Sequence, residues 1–183
     1  MNPPTLKVSA LTLGLVSFAM AAYAQHANTS DESCPMHKEH MAADAHHKAV
    51  EQYGDQAMGF PHGKTTHHFR LLPYGGVIEV IANDPADKTN TSAIRAHLTQ
   101  ISDQFSKGDF SKPMFIHDGI PPGVTTMKLL KAQIRYQYED IAAGGHVRIE
   151  SEDPLAVAAI HDFLRFQIIE HQTGDPLTSS NPQ

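Results

Sequence analysis

Two copies of one short pattern constrain this chain more than any other feature. Gly75-Gly76 is followed, eight residues after Gly76, by Asp84-Pro85. Gly144-Gly145 is followed, eight residues after Gly145, by Asp153-Pro154. The stretches between, Val77-Ile78-Glu79-Val80 and His146-Val147-Arg148-Ile149, alternate with period two and predict strands. A further strand precedes each Gly pair: His67 to Leu72, and Gln133 to Glu139 with Ile134, Tyr136 and Tyr138 on one face. Glycine between alternating runs favours a hairpin turn, because it reaches φ > 0 without steric penalty.

A helix is expected after each Asp-Pro, with Asp as N-cap and Pro in the first turn. Ala93-Ile94 and Leu98 in the first copy match Ala159-Ile160 and Leu164 in the second, although the first copy carries three more residues before its helix. Ile94, Leu98, Ile101 and Phe105 form an apolar stripe at helical spacing. The helix from Leu155 to His171 is apolar on several sides and reads as the more buried one. A single hairpin is marginal alone, so two should join. The expected fold is α+β: duplicated ββα units forming a four-stranded antiparallel sheet with two helices on one face. The copies span about 65–107 and 132–171 within a domain at 58–171. A linker from Phe110 to Lys131, with Pro121-Pro122-Gly123 and a short helix over Val124 to Leu130, joins them. Strand order cannot be read from the pattern. Residues 172–183, with two Pro and a Gly among polar residues, are expected to form a flexible tail.

The first 24 residues read as a signal peptide. Lys7 is the only charge before Asp31, Val8 to Ala22 is mostly apolar but short for a membrane span, and Ala22-Tyr23-Ala24 fits a signal peptidase site. The expected location is a bacterial periplasm, with no membrane attachment after cleavage. Removing 24 of the 183 residues leaves 159, and losing Lys7 moves the net charge from −6 to −7. That sign argues against nucleic-acid partners, and the single cysteine excludes an internal disulfide framework.

Composition raises a metal question, since the chain holds 13 histidines against roughly 4 at ordinary usage. Residues 25–57 form a polar His/Met-rich arm, expected to be partly helical or disordered, with a helix possible from Glu32 to Tyr53. Within it Cys34, Met36, His37, His40, Met41, His46 and His47 offer seven donors in fourteen residues. On a helix Met36, His40 and His47 share one face, and His37 and Met41 the next. Thiolate, thioether and imidazole suit a soft ion, Cu(I) above all, with Zn(II), Ag(I) or Hg(II) as alternatives. The competing reading is a solubilising His tract that binds metals only incidentally.

Cys34-Pro35-Met36-His37 resembles the Cys-Pro-Met-His core of the small heavy-metal-binding domain of periplasmic copper and silver efflux proteins. The match covers four residues, and Ser33 and Lys38 stand where that family usually has an aromatic and a proline. The remainder, from Met58-Gly59-Phe60 through Thr65-Thr66-His67-His68-Phe69 to Phe166-Gln167 and Thr173-Gly174-Asp175, is similar to an uncharacterised family of small secreted bacterial proteins. That resemblance implies no particular activity.

Other histidines extend the ligand set. His67 and His68 point to opposite faces of a strand, His67 with Phe69 and Leu71, His68 with Arg70. With Met58 and His62 nearby, either could complete a metal site with the arm; alternatively one is half-buried and structural, the other solvated. His97 borders the apolar stripe and reads as a core-edge imidazole. His117-Asp118 reads as a turn pair or, less simply, as a general base with its carboxylate. His161 and His171, ten residues apart on one helix, cannot share an ion, and His146 should face outward. No nucleophile elbow, His-Glu-x-x-His, P-loop, dinucleotide fingerprint, carbamoyltransferase phosphate loop or covalent haem motif occurs.

The expectation is a periplasmic soft-metal binding protein, most simply for copper, acting in buffering, delivery or resistance with a metal-transport partner. Its ligands would come from Cys34, Met36, His37, His40, Met41, His47, His67 and His68. The alternatives are a small-molecule or partner-binding domain with an incidental arm, and an enzyme using His67, His68 or His117 in a cleft between the repeats.

Overall fold

The computed structural model describes residues 35–180, with side chains from residue 39 onward. A long helix α1 (Pro35–Met58) leads into the hairpin β1 (Thr65–Leu72) and β2 (Gly75–Ala82). Helix α2 (Lys88–Ser106) follows, then the short helices α3 (Ser111–Ile116) and α4 (Val124–Leu129). The second hairpin, β3 (Ile134–Ile141) and β4 (Gly144–Ser151), ends in α5 (Pro154–Glu170). The four strands form one antiparallel sheet in the order β1-β2-β4-β3. The protein is α+β.

The register carries the repeat. Gly76 and Gly145 are equivalent positions, as are Val80 and Ile149. In the central ladder Gly76 faces Ile149, Val80 faces Gly145, and Ile78 lies opposite its own counterpart Val147. A pseudo-two-fold axis therefore passes through the Ile78–Val147 pair. The helices cross over it: α2 packs chiefly on β3 and β4, and α5 on β1 and β2. Each copy's helix covers the other copy's hairpin. Between them lies the core of Phe69, Leu71, Ile78, Val80, Ile94, Leu98, Val147, Ile149, Ile160 and Leu164, all buried.

The glycine pairs act mainly through close approach rather than turn conformation. Of the four, only Gly75 has a positive φ, +142°. A Cβ at Gly75 would lie 2.0 Å from the Ile149 carbonyl oxygen, and one at Gly144 2.0 Å from that of Val80. At Gly76 it would meet Leu164 Cδ1 at 2.2 Å. The pairs let β2 and β4 approach closely at both ends of their ladder and let α5 settle on the sheet.

The caps follow the unequal spacing of the copies. Asp153 caps α5, accepting the N–H groups of Leu155 and Ala156 at 2.7 and 3.2 Å, with Pro154 in the first turn. In the first copy Asp84 instead closes a turn onto the Ala86 N–H. Asp87, three residues later, caps α2 by accepting the Asn90 N–H at 3.0 Å. Those three extra residues move the cap away from the expected Asp84.

Both ends of the domain depart from expectation. α1 runs to Met58, past the anticipated end at Tyr53, and docks through the buried Val50 and a Tyr53–Phe115 edge contact at 5.4 Å. Of the residues expected as a flexible tail, those described (172–180) instead follow β1. Asp175 accepts the Phe69 N–H at 2.9 Å, and the Ser180 N–H donates to the Leu71 carbonyl at 3.1 Å.

A candidate site of clustered histidines

The strand alternation that buries Phe69 and Leu71 also buries His67. Above it the chain leaves α1 at Gly59 (φ +80°), tucks Phe60 into the core, and enters a single 3-10 turn at His62–Lys64. Asp55 fixes that turn by accepting the His62 N–H at 2.6 Å. Lys112 of α3 donates to the Ala57 carbonyl at 2.9 Å and holds the end of α1 in place. The result brings Met58 Sδ to 3.3 Å from His67 Nε2.

Three imidazoles stack around this point. Ring centroids of His62 and His67 are 5.0 Å apart, of His62 and His171 5.9 Å, and of His67 and His171 6.1 Å, with planes within 11° of parallel. His171 comes from the C-cap of α5, so the stack joins His67 of the first copy, His62 from the turn ahead of it and His171 of the second copy. His117 meets His171 edge-on at 5.1 Å, and His97 meets Phe60 at 5.7 Å. Beneath lies a cavity of about 60 Å³ lined by Met58, His67, His97, Gln167, His171 and apolar core side chains.

Four of these rings, His67, His97, His117 and His171, are held neutral. Burial, reinforced by His62, His97 and His68, lowers the His67 pKa to about 3. Burial lowers His97 to about 4, helped by Lys112. His171 is pushed well below the ordinary range by burial and by His67, His117 and His62. Burial also lowers His117, despite its contacts to Gln167 and Glu170. The Nδ1 atoms of His62, His67, His97 and His171 are buried without a hydrogen-bond partner, while that of His117 lies 3.5 Å from the Glu170 carboxylate. A buried polar atom with no partner costs about 1–3 kcal/mol, so four in one region call for an explanation.

Of the five expected metal ligands whose side chains are described (His40, Met41, His47, His67 and His68), only His67 enters this cluster. His68 lies on the opposite sheet face, where Nδ1 contacts Asp175 at 3.0 Å. On α1, His40 faces solvent beside Asp44 at 3.7 Å, and Met41 is exposed. His47 Nδ1 contacts the Glu170 carbonyl at 3.2 Å, and neighbouring His46 reaches the Glu170 carboxylate at 2.6 Å. Cys34 and the side chains of Met36 and His37 lie outside the described residues, as does the expected signal peptide. Among the described residues, no group of three or more His, Cys, Asp or Glu is arranged to hold a metal ion. The stacked rings bring imidazoles together without converging their donor atoms.

The remaining histidines have separate duties. His117 pairs with Gln167 at 3.2 Å rather than with Asp118, which takes a left-handed turn conformation (φ 48°). His161 Nε2 contacts the Leu72 and Gly75 carbonyls at 2.8 and 3.0 Å and braces the first hairpin. His146 faces outward beside Glu139 at 3.3 Å. His67 and His68 lie on opposite faces of the sheet and do not share a cleft, while His68 lies beside Asp175 at 3.0 Å and His117 beside Glu170 at 3.5 Å.

Met58 and His62 are neighbours of both His67 and His68 in sequence, and the sequence groups His117 with those two only as an alternative catalytic cleft; it gives no sign that His171 joins them. Spacing ruled out a shared ion for His161 and His171, and it could not show that His171 crosses to the other copy's hairpin. No protein-family model matches the chain, and neither does any curated protein or solved structure.

Proposed function

We propose that the protein binds a soft transition-metal ion, copper first, in a periplasmic buffering, delivery or resistance role. The observation that carries this reading is the set of neutral imidazoles with partnerless Nδ1 atoms beside the Met58 thioether. Neutral imidazole and thioether are the donors that Cu(I) favours over hard cations. The size of the cavity adds support. At about 60 Å³ it suits an ion or a few waters, and it is far below the roughly 300–1,000 Å³ typical of small-molecule sites. Helix α1 links the two donor sets: its N-terminal part carries His40 and Met41, and Met58 ends it at the cluster. In this reading the arm captures the ion, and Met58, His62, His67 and His171 retain it. Retention requires the rings to turn out of their stack so that their lone pairs converge.

Competition titration with a Cu(I) chelator tests the proposal. Met58→Leu and His67→Ala should each weaken Cu(I) affinity by at least about tenfold, the loss of one good donor bond. Cys34→Ser combined with Met36→Leu should remove capture by the arm while sparing retention by the cluster. Affinities unchanged by all of these substitutions would sink the proposal.

A further inference from the structure

The sheet ends in two unequal edges. Along β1, Asp175 accepts the Phe69 N–H and the Ser180 N–H donates to the Leu71 carbonyl, so the C-terminal segment covers that edge. Its counterpart β3 carries no such cover among the described residues, and Arg135, Gln137, Glu139 and Asp140 are exposed. An uncovered edge strand presents a row of N–H and C=O groups ready to pair.

The side-chain order of β3 is self-complementary. Two β3 strands laid antiparallel about a two-fold axis through Gln137 set Arg135 opposite Glu139 of the second copy, and Glu139 opposite its Arg135. The same register sets Tyr136 opposite Tyr138 of the second copy on the other face, again twice. Opposite-charge and aromatic pairs are the cross-strand contacts that stabilise antiparallel ladders. Moving the axis by one residue either way removes both acid–base pairs. The charged side chains are accessible from solvent: those of Arg135 and Glu139 are 66% and 57% exposed. Each also leans on a β4 neighbour, Arg135 on Glu150 at 2.8 Å and Glu139 on His146 at 3.3 Å, which holds it over the open sheet face.

We propose that the protein forms a two-fold symmetric dimer through β3, with Arg135 and Glu139 of each copy setting the register. The sheet then runs continuously through both chains, with the helices of both copies on one side. A two-fold interface of this kind uses the same surface twice, so each substitution acts at two places.

The test is sedimentation analysis of the purified chain over a concentration series, with a chelator present, for the unaltered protein, Arg135→Glu, Glu139→Arg and the double variant. The unaltered chain should dimerise. Each single variant places like charges opposite one another twice and should weaken association by at least about tenfold. The double variant restores both acid–base pairs in reversed polarity and should recover most of the association. A chain that stays monomeric throughout, single variants that associate normally, or a double variant that fails to recover would each overturn the proposal. No histidine is altered and metal is excluded, so the outcome is independent of the metal reading.

Discussion

A histidine kept neutral by burial leaves a signature in how stability depends on pH. The folded-state pKa values of His67 and His97 lie at about 3 and about 4, and those of His117 and His171 are also lowered. Unfolded, all four titrate near 6.5. Above that value both states are neutral and pH has no leverage. Below it the unfolded chain takes up protons that the folded chain refuses, so stability falls with decreasing pH. The loss approaches about 1.4 kcal/mol per pH unit for each fully buried ring, until the folded pKa is reached. Denaturant titrations of metal-free protein between pH 7 and 4.5 should show this decline, and His67→Phe should make it shallower. A flat profile would mean that the folded chain takes up these protons as readily as the unfolded one. Glycine supplies the second residue-scale prediction. Gly144→Ala drives a methyl group against the Val80 carbonyl and should destabilise the fold by about 3 kcal/mol or more, whereas Gly63→Ala meets open space and should be nearly neutral. Thermal melts of the pair check both expectations.

At the scale of elements, what could be read ahead was what local pattern encodes. Period-two alternation placed all four strands, and Ile94, Leu98, Ile101 and Phe105 marked the buried stripe of α2. The misplaced cap shows the limit. Asp84-Pro85 and Asp153-Pro154 look alike, yet three additional residues let Asp87 take over the capping of α2. The C-terminal segment shows another limit. Its polar, Pro-containing composition resembles a free tail, while its anchor is a long-range one: Asp175 accepts from Phe69 and Thr173 and contacts His68. Two outcomes follow. Asp153→Ala should remove a helix cap worth about 1 kcal/mol, measurable by denaturant unfolding. Asp175→Ala should release residues 173–180, so that amide exchange accelerates at Phe69 and Ser180 while the α2 core amides stay protected. Uniform exchange rates in both proteins would contradict that assignment.

For the whole molecule the decisive feature is the exchange of helices between copies. With α2 on β3 and β4 and α5 on β1 and β2, neither ββα unit holds its own core. A fragment ending at Lys107 should therefore remain unfolded alone, and far-UV circular dichroism would reveal it; an independently folded fragment would refute the crossover. The same exchange explains the candidate site. His67 comes from the first copy, His62 from the turn just ahead of it and His171 from the C-cap of the second copy's helix, so the imidazole stack forms only when the two halves combine. Strand patterns made the halves visible, but not which helix would cover which hairpin. That is why the expected ligands concentrated in the arm while the structure gathers its neutral rings around Met58. The most direct measurement is a histidine-ring ¹H–¹⁵N spectrum before and after one equivalent of Cu(I), assigned with single His variants. Shifts at His62, His67 and His171 are the predicted result. Shifts confined to the α1 histidines His37, His40, His46 and His47, with the buried rings unmoved, would contradict metal retention at the cluster.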